Sequence, residues 1–136
     1  MNWDPALYLK FSQPRLRPAL ELLARVDLES PAVVYDLGCG TGSVTQILAQ
    51  RWPRATVTGV DDSGEMLGRA RDSSSNLRWL QQGIAAWRPD SAPDLIYSNA
   101  ALHWLPDHGP LLRGLAAYLA RGGVLAVQMP RNFAAP

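Results

Sequence analysis

Hydrophobic residues in this chain fall into two kinds of segment. Short runs that are almost entirely apolar predict buried strands, whereas apolar residues three and four positions apart predict helices with one buried face. Strands are predicted over 32–38, 55–61, 76–82, 93–100 and 124–129, and helices over 14–26, 43–52, 63–71 and 110–120. This alternation is typical of an α/β fold with a doubly wound, Rossmann-like and mostly parallel sheet.

Residues at the helix ends support these boundaries. Pro53 is expected to end the helix over 43–52, because proline cannot continue the helical hydrogen-bond pattern. Ser63 is a suitable N-cap for the next helix. Gly122 and Gly123 are suitable C-cap residues for the helix over 110–120.

A glycine-rich loop, in the motif DLGCGTG, joins the first predicted strand to the next helix. Gly38, Gly40 and Gly42 allow a sharp turn and let a ligand approach the main chain without meeting a Cβ atom. The helix that begins near Ser43 directs free N–H groups to the same place. Doubly wound folds bind ligands at this position, so the loop is predicted to bind a cofactor.

Two acidic residues help to choose the cofactor. Asp36 lies two residues before the first glycine, where it would repel the pyrophosphate of a dinucleotide but attract the ammonium and sulfonium of S-adenosylmethionine. The third glycine of a dinucleotide motif is replaced by Ser43. Asp61 ends the second strand, where it could accept hydrogen bonds from the ribose hydroxyls. These features favour S-adenosylmethionine and leave a nicotinamide-dependent oxidoreductase as the disfavoured alternative.

Composition narrows the classes of function further. The 136 residues suit a single domain, and a net charge of +1 without a basic block gives no reason to expect a nucleic-acid partner. No apolar run is long enough for a membrane span, and the N-terminus lacks the pattern of a signal peptide, so a cytoplasmic location is expected. The single cysteine, Cys39, has no companion ligands, so no metal site is predicted, and it is interpreted as a small loop residue.

Longer motifs extend the comparison to a known family. DLGCGTG, TGVD (58–61) and DLIYSNAALHWLPDH (94–108) resemble class I S-adenosylmethionine-dependent methyltransferases. Within that class the whole chain, including GVLAVQMPRN (123–132), is most similar to the trans-aconitate 2-methyltransferases. The resemblance implies methylation of a carboxylate of a small polycarboxylic acid such as trans-aconitate. A catalytically silent module that binds S-adenosylmethionine and acts through a partner remains the alternative.

The resemblance also implies roles for individual residues. It places Cys39 in the cofactor loop with Asp36 and the three glycines, and it assigns Asp61 to the ribose. Further cofactor-binding positions by this correspondence are Asp62 and Met66 beside the adenosine, Gly83 and Ile84 near the adenine, and Asn99 and Ala100 beside the transferable methyl group. Relatives carry an acid where this chain has Gly83, so one acceptor for the adenine amino group is expected to be missing.

Substrate contacts are predicted less directly. His103 and Trp104 correspond to residues that border the substrate pocket in the family, and Tyr8 lies in a segment that folds over the cofactor in relatives. Arg131 follows the fifth strand, and an arginine suits the recognition of carboxylates. Trp87 is interpreted as a packing residue. No catalytic residue is predicted, because a carboxylate is already ionised and nucleophilic at neutral pH.

The resemblance predicts the strand order 3-2-1-4-5 and a sheet that lacks the last two of the family's seven strands. Residues 1–136 are therefore interpreted as one S-adenosylmethionine-binding methyltransferase domain that is truncated after strand five. The strand over 124–129 would then lie at an edge, and it contains neither a charged residue nor a proline. Pairing of two such edges predicts a homodimer through residues 124–129, or else a poorly soluble chain.

Overall fold

The computed structural model describes residues 16–70, 76–99, 101–102 and 105–129. Its helices are α1 (Arg17–Ala24), α2 (Ser43–Arg51), α3 (Gly64–Ala70) and α4 (His108–Ala117), with a short 3-10 helix at Ile84–Ala86. Its strands are β1 (Val33–Leu37), β2 (Thr56–Asp61), β3 (Leu77–Gln81), β4 (Leu95–Asn99) and β5 (Val124–Gln128). Each predicted element that falls within the described residues is present, with ends shifted by a few residues.

The five strands form one sheet in the order β3-β2-β1-β4-β5, and all four strand pairs are parallel. The predicted fold class and strand order are therefore confirmed. Asp36 in β1 lies opposite Gly59 in β2 and Tyr97 in β4. Because all strands run in the same direction, the glycine loop and the last residues of β2 and β4 lie together where the strands end.

Each face of the sheet carries an apolar cluster. On one face, α1 and α2 pack against β1, β2 and β4 through residues that include Leu20, Leu23, Val34, Leu48, Val57 and Leu95. On the other face, α4 contributes Leu115 to a cluster with Leu37, Val60, Trp87, Ile96 and Leu102. Strands that are covered on both faces contain few polar residues, which explains the nearly continuous apolar runs in the sequence.

Polar contacts fix α1 on the sheet. The hydroxyl of Tyr97 donates a hydrogen bond of 2.7 Å to the carbonyl of Ala19, within the buried face of α1. The guanidinium of Arg51 donates hydrogen bonds to the carbonyls of Leu23 (2.6 Å) and Val26 (2.8 Å), at and just beyond the C-terminal end of α1. These contacts join the C-terminal end of α1 to α2, the helix that follows the glycine loop.

The end signals predicted from sequence give a mixed result. Ser63 is an N-cap, since its hydroxyl accepts a hydrogen bond of 3.2 Å from the N–H of Met66. The prediction for α4 was wrong at both ends. The helix begins at His108, because Pro110 is accommodated in a first turn that needs no N–H donors, and it ends at Ala117. Gly122, in a left-handed conformation, belongs instead to the turn that leads into β5.

None of the helices in the described ranges has both the length and the apolar character required to cross a bilayer.

Candidate functional site

The loop after β1 combines three glycines in the left-handed region, with φ of +74° at Gly38, +58° at Gly40 and +86° at Gly42. An L-residue in that region costs about 1–2 kcal/mol. The N–H groups of Gly38 and Cys39 both donate to the carbonyl of Val60, at 2.7 and 3.0 Å. The loop therefore turns back over the end of β2 before α2 begins.

The three glycines have different surroundings. A Cβ atom on Gly38 would overlap the Cβ of Ala101, in the segment that follows β4, and one on Gly42 would overlap the ring of Trp79. A Cβ atom on Gly40 would meet no atom within 4 Å. Gly38 and Gly42 are therefore required by packing, whereas Gly40 leaves open space beside the main chain, where a ligand could lie.

Asp61 connects β2 to this loop. One oxygen of its carboxylate accepts a hydrogen bond of 2.8 Å from the N–H of Gly40, and the other accepts one of 2.9 Å from the N–H of Ser63. Each carboxylate oxygen has a second lone pair, so these bonds leave acceptor capacity for a ligand hydroxyl. The predicted ribose-binding acid is thus also a structural part of the loop.

Asp36 lies below the loop and is only 3% exposed. The hydroxyl of Thr45, on α2, donates a hydrogen bond of 2.7 Å to one oxygen of its carboxylate. Burial raises the pKa of Asp36 to about 7; the Thr45 hydrogen bond opposes this shift and the charge of Asp61 adds to it. At neutral pH this carboxyl group is therefore poised between its two protonation states, and a nearby cation would favour the ionised one.

Cys39 is held in the loop as a neutral thiol. Burial, with a further contribution from the charges of Asp36 and Asp61, raises its pKa far above the ordinary range. Its sulfur lies 3.7 Å from the carbonyl oxygen of Gly40. These features agree with its interpretation as a small loop residue, because nucleophilic cysteines need a lowered pKa.

Residues after β3 and β4 lie near the loop. The side chain of Ile84 would be 3.6 Å from a Cβ atom on Gly38, so the structure brings these two predicted cofactor residues together. Asn99 ends β4, and its side-chain oxygen is buried without a hydrogen-bond donor among the described residues. A buried acceptor of this kind is uncommon and suits a site completed by a ligand.

Of the remaining predicted cofactor residues that the structure describes, Asp62 and Met66 are exposed and Gly83 is half-buried. Met66 is 40% exposed in the first turn of α3. Asp62 is also exposed, and its backbone carbonyl accepts a hydrogen bond of 3.3 Å from the side chain of Gln81. Gly83 has extended backbone (φ −72°, ψ 145°), with no atom within 4 Å of its would-be Cβ position. The conformation of Gly83 therefore does not require glycine.

The predicted substrate residues Tyr8, His103, Trp104 and Arg131, and the predicted cofactor residue Ala100, lie outside the described residues. Within those residues, no group of three or more histidine, cysteine or acidic side chains could hold a metal ion. Trp87 is a packing residue, as predicted: it is 2% exposed and makes edge-to-face contacts with Tyr35 and Tyr118, at centroid distances of 4.8 and 5.8 Å.

Sequence reasoning missed three residues that support the loop. Thr45 binds Asp36, and the hydroxyl of Ser98 donates a hydrogen bond of 2.9 Å to the carbonyl of Leu37, directly before Gly38. Trp79 packs against Gly42 and Gly59, where a Cβ atom on Gly59 would lie 2.7 Å from its ring. The isolated Gly59 within an apolar strand was the available signal, since such a glycine often marks a close approach.

Comparison with known proteins agrees with this geometry. Residues 34–123 match a family model described as a methyltransferase domain, and this match covers the glycine loop, the described strands β2, β3 and β4, and α4. The chain belongs to this family of methyltransferase domains.

Individual relatives extend the match beyond that domain. The chain is 52% identical over 135 residues to a trans-aconitate 2-methyltransferase of Azoarcus sp. (strain BH72), covering 99% of this chain and 53% of the relative. It is 54% identical over 135 residues to a trans-aconitate 2-methyltransferase of Methylobacterium radiotolerans, covering 99% and 52%. The chain therefore spans about half the length of these curated relatives.

A solved structure supports the fold independently. An S-adenosylmethionine-dependent methyltransferase from Mesorhizobium loti superposes with a TM-score of 0.71 and 29% sequence identity, over 84% of this chain and 53% of that protein.

Proposed function

We propose that this chain forms the cofactor-binding part of an S-adenosylmethionine-dependent methyltransferase, which transfers a methyl group to a carboxylate of a small polycarboxylic acid such as trans-aconitate. The observation that carries this proposal is the open side of Gly40, next to a hydrogen bond from its N–H to Asp61. A ligand in that space would meet exposed main chain and a carboxylate at the end of β2.

The described residues fit the chemical groups of S-adenosylmethionine. Asp61 retains acceptor capacity for ribose hydroxyls, and Asp36 supplies a carboxylate without a cationic partner among the described residues. The carboxylate of Asp36, two residues before the first glycine, would repel a pyrophosphate, which disfavours a dinucleotide. Asn99 contributes a buried oxygen that lacks a donor.

The proposed substrate follows from the relatives. Two proteins that share more than half of their aligned residues with this chain are named trans-aconitate 2-methyltransferase. We assign Tyr8, His103, Trp104 and Arg131 to the substrate side of the site, and Ala100 to the cofactor side. Arg131 would form paired hydrogen bonds with a substrate carboxylate. A cytoplasmic location remains a prediction.

The mechanism we infer depends on positioning. When bound, S-adenosylmethionine supplies an electrophilic methyl group on a positively charged sulfur. The described residues contribute a loop held by hydrogen bonds, the carboxylates of Asp36 and Asp61 at or near the ends of two strands, and a buried core beneath them. An ionised substrate carboxylate needs no base, so the protein has to align its oxygen with the methyl group and exclude water. No residue of the chain is assigned a proton-transfer step.

Two measurements test this proposal. Calorimetry with S-adenosylmethionine and with NAD should give binding for the first ligand alone. Incubation with S-adenosylmethionine and trans-aconitate should yield a monomethyl ester that mass spectrometry detects, whereas the trimethyl ester of trans-aconitate should give no product. Binding of NAD in preference to S-adenosylmethionine would contradict the proposed cofactor. Binding of S-adenosylmethionine without any ester would favour the silent module.

A further inference from the structure

A buried hydroxyl group contacts the acid below the loop. Thr45 is the third residue of α2 and is fully buried, on a helix face whose other buried residues are apolar. Its side-chain oxygen lies 2.7 Å from a carboxylate oxygen of Asp36, so its single proton is used in this bond. Valine would fill almost the same volume but could not donate this hydrogen bond.

The surroundings of Asp36 make that hydrogen bond important. The titratable groups that face Asp36 from the described elements are Cys39 in the loop, Asp61 on β2 and Tyr97 on β4. None of these groups is a cation. Among the described residues, Thr45 is the one side chain that donates a hydrogen bond to Asp36, and it opposes the effect of burial on the charged form.

We propose that Thr45 is a positioning residue for the cofactor: its hydroxyl, 2.7 Å from the Asp36 carboxylate, favours the ionised form of that acid and orients it toward the cationic amino-acid end of S-adenosylmethionine. This inference rests on the proposed function, because it needs that cofactor. Thr45 itself does not touch the ligand; it acts through Asp36. The hydroxyl occupies one carboxylate oxygen and leaves the other for the ligand.

Thr45→Val tests this role, with Thr45→Ser as the matched variant that keeps the hydroxyl. The ligands are S-adenosylhomocysteine, which carries the ammonium group, and 5′-methylthioadenosine, which lacks the amino-acid end. At pH 7, Thr45→Val should weaken S-adenosylhomocysteine binding about tenfold, because the pKa of Asp36 rises further and the acid is mostly neutral. Binding of 5′-methylthioadenosine should stay within twofold of wild type, and Thr45→Ser should resemble wild type with both ligands.

The pH dependence separates positioning from a simple loss of structure. The affinity deficit of Thr45→Val should shrink as pH rises from 6 to 8.5, because ionisation of Asp36 is restored. In an Asp36→Asn background, Thr45→Val should have no further effect on the ratio of the two affinities. If Thr45→Val weakens the binding of both ligands equally, or if its affinity deficit does not depend on pH, the positioning role of Thr45 is wrong, but the proposed function still stands. Failure of the wild-type chain to bind either ligand would overturn the proposed function as well.

Discussion

The carboxylate of Asp61 accepts a hydrogen bond of 2.8 Å from the backbone N–H of Gly40, so the last residue of β2 holds the middle of the glycine loop. The two residues are 21 positions apart in the chain. The acid expected to bind a ribose therefore also shapes the surface on which the ligand would lie. A change at Asp61 should affect the ligand both directly and through the loop.

Replacement of this acid gives the first prediction. Asp61→Ala should weaken S-adenosylmethionine binding at least tenfold, since two charge-assisted hydrogen bonds contribute about 1.5–3 kcal/mol each. The sheet should remain folded, because Asp61 is partly exposed and lies at a strand end. Glu65→Ala is the control, since Glu65 is an exposed acid on α3 whose ion pair with Arg69 is open to solvent. Calorimetry measures the affinity, and an unchanged value would remove Asp61 from the site.

Two neighbouring glycines give a matched pair of variants. Gly40→Ala and Gly42→Ala both place an L-residue in the left-handed region, at a similar cost of about 1–2 kcal/mol. Only Gly42→Ala also drives a methyl group into the Trp79 ring, so it should lose about 1–3 kcal/mol more in the free energy of unfolding. Gly40→Ala should instead lose affinity for S-adenosylmethionine, because its methyl group enters the open space.

Denaturant unfolding of both variants checks this difference. Trp79→Leu, added to Gly42→Ala, should recover part of the lost stability, because the smaller side chain makes room for the new methyl group. If the two single variants unfold at the same denaturant concentration, the contact between Trp79 and Gly42 does not constrain the loop.

Much of the architecture could be predicted because buried strands and helix faces require apolar residues at regular positions in the sequence. The run AVVYDLG is apolar except for Tyr35 and Asp36, as expected of a strand covered on both faces, and its final glycine begins the turn at the end of β1. The ends of α4 were harder to predict. Gly122 and Gly123 are genuine turn signals, but they belong to a turn that begins after the helix has already ended at Ala117. The turn preference of glycine does not tell whether a glycine ends a helix or lies in a later turn.

The residues that support the site could not be found by periodicity. Thr45 and Asp36 are nine positions apart, and Gly42 and Trp79 come from separate elements, so only the folded chain brings each pair together. A buried threonine on a helix face resembles any other small residue in the sequence. Gly59 alone signalled a close approach, without indicating which side chain would fill the space.

The edge of the sheet gives another prediction. The N–H of Val124 donates to the carbonyl of Asp94, before β4, so the N–H groups of Leu125 and Val127 point away from β4. We expect two copies of the chain to pair through these outward groups. Val127→Pro removes one of them and should shift a dimer to monomer, whereas Val127→Thr keeps the N–H and should remain dimeric. A wild-type chain that sediments as a monomer at tens of micromolar would contradict this homodimer.

The last prediction concerns the acceptor that this chain is expected to lack. Gly83 has extended backbone and no atom within 4 Å of its would-be Cβ position, so Gly83→Asp should be tolerated. It precedes the short 3-10 helix at Ile84–Ala86, where an aspartate can also accept hydrogen bonds as an N-cap. The Gly83→Asp variant should therefore be at least as stable as the wild-type protein. A change in its ligand affinity would then not result from a loss of stability.

If the adenine amino group lies near Gly83, an aspartate there should accept its hydrogen bond and tighten S-adenosylhomocysteine binding about tenfold. S-inosylhomocysteine carries an oxygen in place of that amino group, so the new carboxylate should weaken its binding. Gly83→Ala, which adds bulk without an acceptor, should change neither affinity by more than about twofold, within the range of small surface substitutions. Calorimetry with both ligands measures the ratio of their affinities. An aspartate variant with the same ratio as the alanine variant would show that the adenine amino group is already satisfied or lies elsewhere.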